Sequence, residues 1–297
     1  MKRALLLLLV LAPAVLADSA QAVLDDMAKA LAAAGNVTGK ATCMLEKPEI
    51  RPHRAHGKLP LGYIRHLVLA NGRTTYRFRY WMNIADREAK TGVAIEGSTG
   101  LGMDQPNSVN WYSNNFFELS YGGKEILKHA MAEMAVVQAE GERSVGTFTW
   151  DVPEARVVLE IGLAADAESI ELRCRVEAKG EPKPVRLGFR AYPGHTSPPR
   201  ARRVVTAKRE LHPEAEYELQ PEETTLVLFD EAEPQLPCAI RFAESGHKKA
   251  TLALQSYGVT VHLDYAPGKA LVSGPIHLWD FRNQSLNQVM DRLLGGK

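Results

Sequence analysis

The chain has 297 residues, of which 45% are hydrophobic, and its 36 lysine and arginine residues nearly balance 35 aspartate and glutamate residues. This apolar fraction is sufficient for a sizeable hydrophobic core. The charges are interspersed and form no evident basic face, which argues against nucleic acid as a partner.

The N-terminus has the pattern of an export signal. A basic start, MKR, is followed by an apolar run from Ala4 to Leu16, which is shorter than the roughly 20 residues that a membrane-spanning helix needs. Small residues permit cleavage after Ala17 or as late as Ala22. We therefore expect a signal peptide at 1–17, a secreted or periplasmic protein, and no transmembrane segment in the mature chain. The alternative is a buried N-terminal helix.

The segment after the signal is predicted to form a short amphipathic helix. Asp18 or Ser19 can cap its start and Gly35 can end it. Its apolar residues recur at helical spacing: Val23, Leu24, Met27 and Leu31. Because no internal repeat, low-complexity tract or long linker divides the rest, we expect residues 18–297 to form a single domain.

From about residue 38 onward, the apolar period changes from 3.6 to 2, which is typical of strands. The run RTTYRFRYWM places its aromatic residues and a methionine on one face: Tyr76, Phe78, Tyr80 and Met82. Runs of this kind recur between glycine and proline turns and predict about fifteen strands. Strands that follow strands without intervening helices exclude a doubly wound parallel sheet. The prediction is an all-β fold, a large antiparallel two-sheet sandwich.

Two further segments bear on this architecture. The apolar stretch ILKHAMAEMAVVQ is compatible with either a helix or a strand, because its alanines and methionines favour a helix and its neighbours favour a strand. At the other end, Leu286, Val289, Met290 and Leu293 have helical spacing. They predict a short C-terminal helix that caps the sandwich.

Three widely spaced cysteines, Cys43, Cys174 and Cys238, permit one disulfide in an oxidising compartment and leave the pairing open. Cys174 alternates with apolar neighbours and is interpreted as a buried small hydrophobic residue. No C-x-x-C pair is present, which argues against a thiolate zinc site.

The first candidate binding stretch is QPNSVNWYSNNFFELSYGG, which is rich in asparagine and aromatic residues. Amide groups bind sugar hydroxyls and aromatic rings contact the apolar faces of sugars, so Trp111, Tyr112 and Asn114 are candidate saccharide-binding residues. The alternative is a turn-rich loop whose aromatic residues pack inward.

The second candidate stretch is PVRLGFRAYPGHTSPPRARR, in which Arg190 and Tyr192 share one strand face and His195 follows the strand end. Arginine can hold a carboxylate or a pair of hydroxyls, and histidine can exchange a proton near neutral pH. The alternative is a solvated strand face followed by a basic loop.

Other chemical signatures are incomplete. His262 and Asp264 fall on one strand face and could begin a metal site, but no third ligand is evident, so we expect no metal and no cofactor. The chain contains no G-x-S-x-G, H-E-x-x-H or phosphate-loop motif.

The chain resembles the galactose-mutarotase-like supersandwich family, as a divergent member, over roughly residues 40–282. In that family a strand carries Asn-His-x-Tyr with the histidine as general acid; the similar stretch here is Phe189-Arg190-Ala191-Tyr192. The family base is a glutamate in Glu-x-Gln, similar to Glu233-Pro234-Gln235. Arginine does not release its proton at a useful pH. The resemblance therefore implies a sugar-binding shape without mutarotase catalysis of the usual form.

These observations predict an exported carbohydrate-binding or carbohydrate-processing β-sandwich protein with a saccharide partner. If it is an enzyme, we expect a sugar epimerase, lyase or hydrolase, with Glu233 and His195 as candidate catalytic residues. The alternative function is an envelope structural or interaction module without a small-molecule ligand.

Overall fold

The structure, a computed structural model, describes residues 39–52, 59–92, 100–104, 111, 115–193, 202–212, 216–232, 234, 236–255, 258–281 and 284–295. The predicted signal segment and the helix after it lie outside these residues and stay predictions. No helix in the described ranges is long and apolar enough to cross a membrane.

The described chain is almost entirely built of β-strands, with one short helix, α1, at Leu286–Leu294. In chain order the strands are β1 Ala41–Leu45, β2 Glu49–Pro52, β3 Leu61–Ala70, β4 Thr75–Ile84, β5 Gly100–Asp104, β6 Phe117–Tyr121, β7 Lys124–Glu125, β8 Glu133–Gln138, β9 Glu140–Gly141, β10 Arg143–Asp151, β11 Ala155–Ala164, β12 Ile170–Ala178, β13 Val185–Ala191, β14 Arg202–Val205, β15 Glu210–Leu211, β16 Tyr217–Glu218, β17 Thr225–Asp230, β18 Cys238–Arg241, β19 Lys249–Gln255, β20 Gly258–Tyr265, β21 Ala270–Val272 and β22 Ile276–Asp280.

These strands form three antiparallel sheets. A ten-stranded sheet has the order β15-β14-β17-β18-β22-β12-β11-β10-β8, with β21 beside β12. One six-stranded sheet has the order β5-β4-β3-β1-β9, with β2 beside β3. The other six-stranded sheet has the order β16-β19-β20-β13-β6-β7; we call it the β13 sheet.

The two six-stranded sheets meet edge to edge at Phe116. Its N–H donates to the Leu101 carbonyl of β5, and its own carbonyl accepts the Arg190 N–H of β13, both at 2.8 Å. Both sheets face the ten-stranded sheet, because Trp150 of β10 contacts Tyr80 from one and Phe117 from the other. The expected sandwich is thus confirmed, and one of its two layers is divided into two sheets.

The period-2 prediction is confirmed on β4. Tyr76, Phe78, Tyr80 and Met82 are all at most 2% exposed, because alternate side chains of a strand point to the same side and here that side faces the core. The ambiguous segment contains the edge strand β8 rather than a helix, and Met134 of that strand is buried. Pairing with β10 therefore outweighs the helical propensity of alanine and methionine.

The predicted C-terminal helix is also confirmed. The Ser285 side chain accepts the Gln288 N–H while the Gln288 side chain accepts the Ser285 N–H, and Gly295 ends the helix with φ 75°. Val289 packs with Val227, Ala239 and Trp279 on the outward face of the ten-stranded sheet. The helix therefore covers part of this sheet, as expected.

All three cysteines belong to the described residues; each is buried, and no disulfide joins them. Burial raises the pKa of Cys43 to about 11 and that of Cys174 to about 12. Cys238 has a pKa that burial, with a contribution from Asp280, raises well above its usual value. Because the thiolate is the reactive form, these thiols are packing groups rather than nucleophiles.

Candidate functional site

The predicted site residues fall into three groups in the structure. Tyr112, Asn114, His195 and Glu233 lie outside the described residues, so their roles stay predictions. Trp111 lies in the core, whereas Arg190 and Tyr192 are half-buried near the end of β13.

Trp111 is only 2% exposed. It forms an isolated bridge with Ala191, its ring contacts Phe116 edge-on, and its Nε1–H donates to the Trp279 carbonyl at 3.0 Å. An indole held in this way offers a ligand no ring face. Trp111 therefore belongs to the core and does not line the candidate surface.

Tyr192 follows the last residue of β13. The guanidinium of Arg202, itself 1% exposed, lies 4.1 Å from the centre of the Tyr192 ring, and its Nε donates to the Pro193 carbonyl at 3.2 Å. Buried arginine over an aromatic face is a stabilising cation–π arrangement. Arg202 therefore holds the end of β13 and fixes the tyrosine beside the sheet.

Arg190 points away from the core, on the outward side of the β13 sheet. Its neighbours in sequence, Phe189 and Ala191, are buried on the other side. The Arg190 Nη1 donates to the Glu118 Oε1 of β6 at 3.1 Å, and the two side chains are 30% and 37% exposed. The expected face of β13 thus carries a half-buried ion pair between adjacent strands.

A buried glycine lies next to this ion pair. Gly188 is paired with Glu118 of β6 on one side and with His262 of β20 on the other. A Cβ at Gly188 would lie 3.4 Å from both the Glu118 Cβ and the His262 Cδ2, so these two side chains approach each other over the glycine and a larger side chain would press them apart. We call the outward side of these strands the polar face and define it by Glu118, Arg186, Gly188, Arg190, Thr251, His262 and Asp264.

Two buried polar atoms on this face have no hydrogen-bond partner among the described residues: the His262 Nδ1 and the Thr251 Oγ1. Their residues are paired across β19 and β20. Burial, with a smaller contribution from Arg186, lowers the pKa of His262, so the imidazole is neutral at neutral pH. Because buried polar atoms normally have partners, these two mark unused hydrogen-bonding capacity.

The far side of the polar face is closed by a strong ion pair. The Arg186 Nε and Nη2 donate to the two oxygens of Asp264 at 2.7 and 2.9 Å. This bidentate pair explains why His262 and Asp264 do not begin a metal site, since both carboxylate oxygens are already used. No group of three potential metal ligands occurs in the described parts of the chain.

No pattern in the sequence predicts Glu118, Gly188 and Thr251 as members of a site. Glu118 lies between hydrophobic residues of β6, and a glycine within a strand is the only local signal at position 188. Their proximity depends on the pairing of β6, β13 and the β19–β20 hairpin, which are far apart in sequence. The sequence does show that His262 and Asp264 share one strand face, but it does not show which residues lie beside them.

The polar face offers donors and acceptors side by side. Arg190 donates, Glu118 accepts, and neutral His262 can do either through its two ring nitrogens. The strands of Glu118 and His262 are separated by β13, which places their backbones about 10 Å apart. The face therefore offers hydrogen-bond donors and acceptors to a polar ligand that lies across these side chains.

Comparison with known proteins gives only distant similarities. No protein-family model matches the chain, and no curated protein matches its sequence. Among solved structures, a galactose mutarotase related enzyme from Lactobacillus acidophilus matches with a TM-score of 0.38 and 9% identity, over 80% of this chain and 98% of the other.

Larger carbohydrate enzymes match over part of their length. A GH36 alpha-galactosidase from Geobacillus stearothermophilus, in complex with 1-deoxygalactonojirimycin, gives a TM-score of 0.41 and 10% identity over 77% of this chain and 42% of that one. A chondroitinase AC lyase gives 0.47 and 7% over 77% of this chain and 37% of that one. The chain thus spans about two fifths of these two enzymes. With TM-scores below 0.5, these similarities assign neither an activity nor a ligand to it.

Proposed function

We propose that the protein is an exported carbohydrate-binding or carbohydrate-processing β-sandwich that binds a saccharide on its polar face. The observation that carries this proposal is the half-buried ion pair of Arg190 and Glu118, which lies beside two buried polar atoms without a described partner, the His262 Nδ1 and the Thr251 Oγ1.

A saccharide suits this face because each of its hydroxyls both donates and accepts a hydrogen bond. Glu118 would accept from one hydroxyl, and the Arg190 guanidinium would bind a neighbouring oxygen or a uronic acid carboxylate. Thr251 and His262 have unused capacity that a hydroxyl or a bridging water would complete. The aromatic contribution falls to Tyr192, since Trp111 is in the core.

Thermal denaturation with a panel of neutral sugars and uronic acids tests this proposal. A ligand that binds only the native state raises the Tm. We expect a Tm increase for the wild type that disappears in Gly188→Leu, whose side chain would press Glu118 and His262 apart. Gly180→Leu is the matched control, because a Cβ at Gly180 would contact nothing within 4 Å. No Tm increase from any sugar would favour the interaction module without a small-molecule ligand.

Proton transfer on the bound sugar is a second candidate, favoured by the pair of Glu118 and His262. The Glu118 carboxylate could take a proton from the sugar or from water and return it to the product, while an N–H of neutral His262 could donate a hydrogen bond to an oxygen on which negative charge develops, as in an epimerase, lyase or hydrolase. Glu118→Gln and His262→Gln should then abolish turnover while the Tm increase with sugar persists. If both variants retain wild-type turnover, these roles are wrong.

The proposed export has its own test. N-terminal sequencing of protein recovered from the periplasm or medium should start at Asp18, or at Val23 if cleavage follows Ala22. Recovery of the intact chain in the cytoplasm alone would contradict it.

A further inference from the structure

A depression lies on the outward side of the ten-stranded sheet, at the opposite surface of the sandwich from the polar face. It encloses about 240 Å³ and is lined by Ser169, Arg241, Ala243, Glu244, Pro275, His277 and Trp279. We call it the β18–β22 groove, after the strands that carry Arg241 and His277. These two residues are directly paired across the strands.

A close backbone approach shapes one wall of this groove. The Gly274 N–H donates to the Ser245 carbonyl at 3.0 Å, and a Cβ at Gly274 would collide with the Glu244 carbonyl oxygen. This glycine therefore allows the turn that carries Ala243 and Glu244 to lie against the segment before β22. The groove is built by tight packing of two chain segments.

Arg241 is half-buried in this wall and has no carboxylate partner within 4.0 Å among the described residues. Its Nε donates to the Thr225 Oγ1 at 3.1 Å, its Nη2 to the Leu293 carbonyl at 3.4 Å, and its guanidinium lies 5.5 Å from the Trp279 ring centre. The Nη1 has no described partner. A half-buried cation with free donors is a site for an anion.

The rest of the groove supplies a floor and an acceptor. Trp279 is 7% exposed, and its ring lies 5.9 Å from that of His277. Burial lowers the pKa of His277, which is therefore neutral near pH 7. Glu244 is exposed and has no ion-pair partner in the described part of the chain. The groove thus presents one unpaired cation and one unpaired carboxylate that are not bonded to each other.

We infer that the β18–β22 groove binds a small organic acid that carries a hydrogen-bond donor beside its carboxylate. Arg241 would receive the carboxylate through its free donors, and Glu244 would accept from the adjacent hydroxyl or ammonium group. Two opposite charges held apart in one groove match such a ligand. A simple anion would bind Arg241 but would offer no hydrogen-bond donor to the Glu244 carboxylate. The volume holds about eight water molecules, which fits an acid of this small size.

NMR titration of the full protein tests this inference, because the chain has only 4 tryptophans and their indole N–H signals are few. Lactate and serine are the probes, and lactamide is the uncharged control. We expect saturable shifts of the Trp279 indole signal with lactate, serine or both, and none with lactamide. Trp279→Phe assigns the signal. The comparison of lactate with serine shows whether the donor is a hydroxyl or an ammonium group.

Variants at the exposed Ala243 test the role of charge without removing a packed group. Ala243→Glu should weaken binding of the acids about tenfold, and Ala243→Lys should strengthen it, because each changes the potential next to Arg241. Arg241→Gln should abolish the shifts. Since Arg241 also holds helix α1, the Ala243 pair carries the test if Arg241→Gln fails to fold.

Three outcomes would overturn the inference. They are an absence of Trp279 shifts with both acids, equal shifts with lactamide, and equal affinities of Ala243→Glu and Ala243→Lys. Arg190→Gln on the polar face should leave this binding unchanged, so the two sites can be tested separately.

Discussion

Two ion pairs on the same layer of the sandwich are almost identical in geometry. Arg190 and Glu118 are 3.1 Å apart with side chains 30% and 37% exposed. Arg77 and Glu46, on the outward side of the other six-stranded sheet, are 2.9 Å apart with side chains 33% and 35% exposed. Neither distance nor exposure distinguishes the candidate site from an ordinary surface pair.

The difference lies in what surrounds each pair. Glu46 is further engaged, because its Oε2 also lies 3.1 Å from the His66 Nδ1 and its carbonyl accepts the Arg65 Nε at 3.1 Å. Unused hydrogen-bonding capacity alone does not separate the two pairs, because the Arg77 Nε is also buried without a described partner. The Arg190 pair instead lies near two such atoms, the His262 Nδ1 and the Thr251 Oγ1, whose residues are paired across neighbouring strands.

The largest expected effect on stability concerns a third carboxylate, Glu223, which is fully buried and fully hydrogen-bonded. Glu223 has no exposed surface and accepts from the Arg209 Nε and Nη2 at 2.9 Å, the Thr206 hydroxyl at 2.8 Å and the Gln220 N–H at 2.9 Å. Glu223→Gln should lower the free energy of unfolding by about 3 kcal/mol. Glu118→Gln should cost less than about 1 kcal/mol. Urea denaturation measures the free energy of unfolding of both variants. Similar losses would show that the buried and the half-exposed carboxylate contribute equally to stability.

The Glu223 carboxylate also predicts that the free energy of unfolding falls at acidic pH. Burial raises the pKa of Glu223, but the hydrogen bonds from Arg209, Gln220 and Thr206 outweigh it, so the pKa is lowered overall. The stabilisation is therefore complete above the unfolded pKa of about 4.3 and is lost as the pH falls through the folded pKa. The wild type should lose more stability on acidification than Glu223→Gln does.

Binding should separate the two similar pairs directly. Arg190→Gln should weaken saccharide binding about tenfold or more, because it removes charge-assisted hydrogen bonds on the polar face. Arg77→Gln should leave binding unchanged, and each substitution should change stability by less than about 1 kcal/mol. Calorimetric titration with the sugar that gives the largest Tm increase measures this. Equal losses in both variants would place the ligand elsewhere.

The smallest effect is on the pH dependence of stability between about pH 5 and 7. Because burial lowers the pKa of His262, the unfolded chain binds more protons at this position below about pH 6.5, and the free energy of unfolding falls as the pH falls. His262→Gln should reduce this slope. His247 and His277 also have pKa values lowered by burial, so part of the slope should remain. An unchanged slope would show that His262 does not resist protonation.

Much of the local structure was predictable from the sequence. The alternation on β4, the capped helix α1 and the buried Cys174 follow from periods of 2 and 3.6 and from capping residues, which are properties of neighbouring positions. The Arg190 face of β13 was predictable for the same reason. Trp111 was not, because an aromatic residue in an asparagine-rich stretch suits a ligand site as well as a core.

The sequence by itself determined which side chains of each strand share a face and where turns and the final helix occur. Only the tertiary structure decided that Glu118, Gly188 and His262 are neighbours, and that Arg241 and Glu244 share a groove without bonding to each other. Local order depends on backbone geometry and residue spacing, which a few consecutive residues specify. Neighbours across a sheet depend on strand order and register, which the packing of the whole core selects.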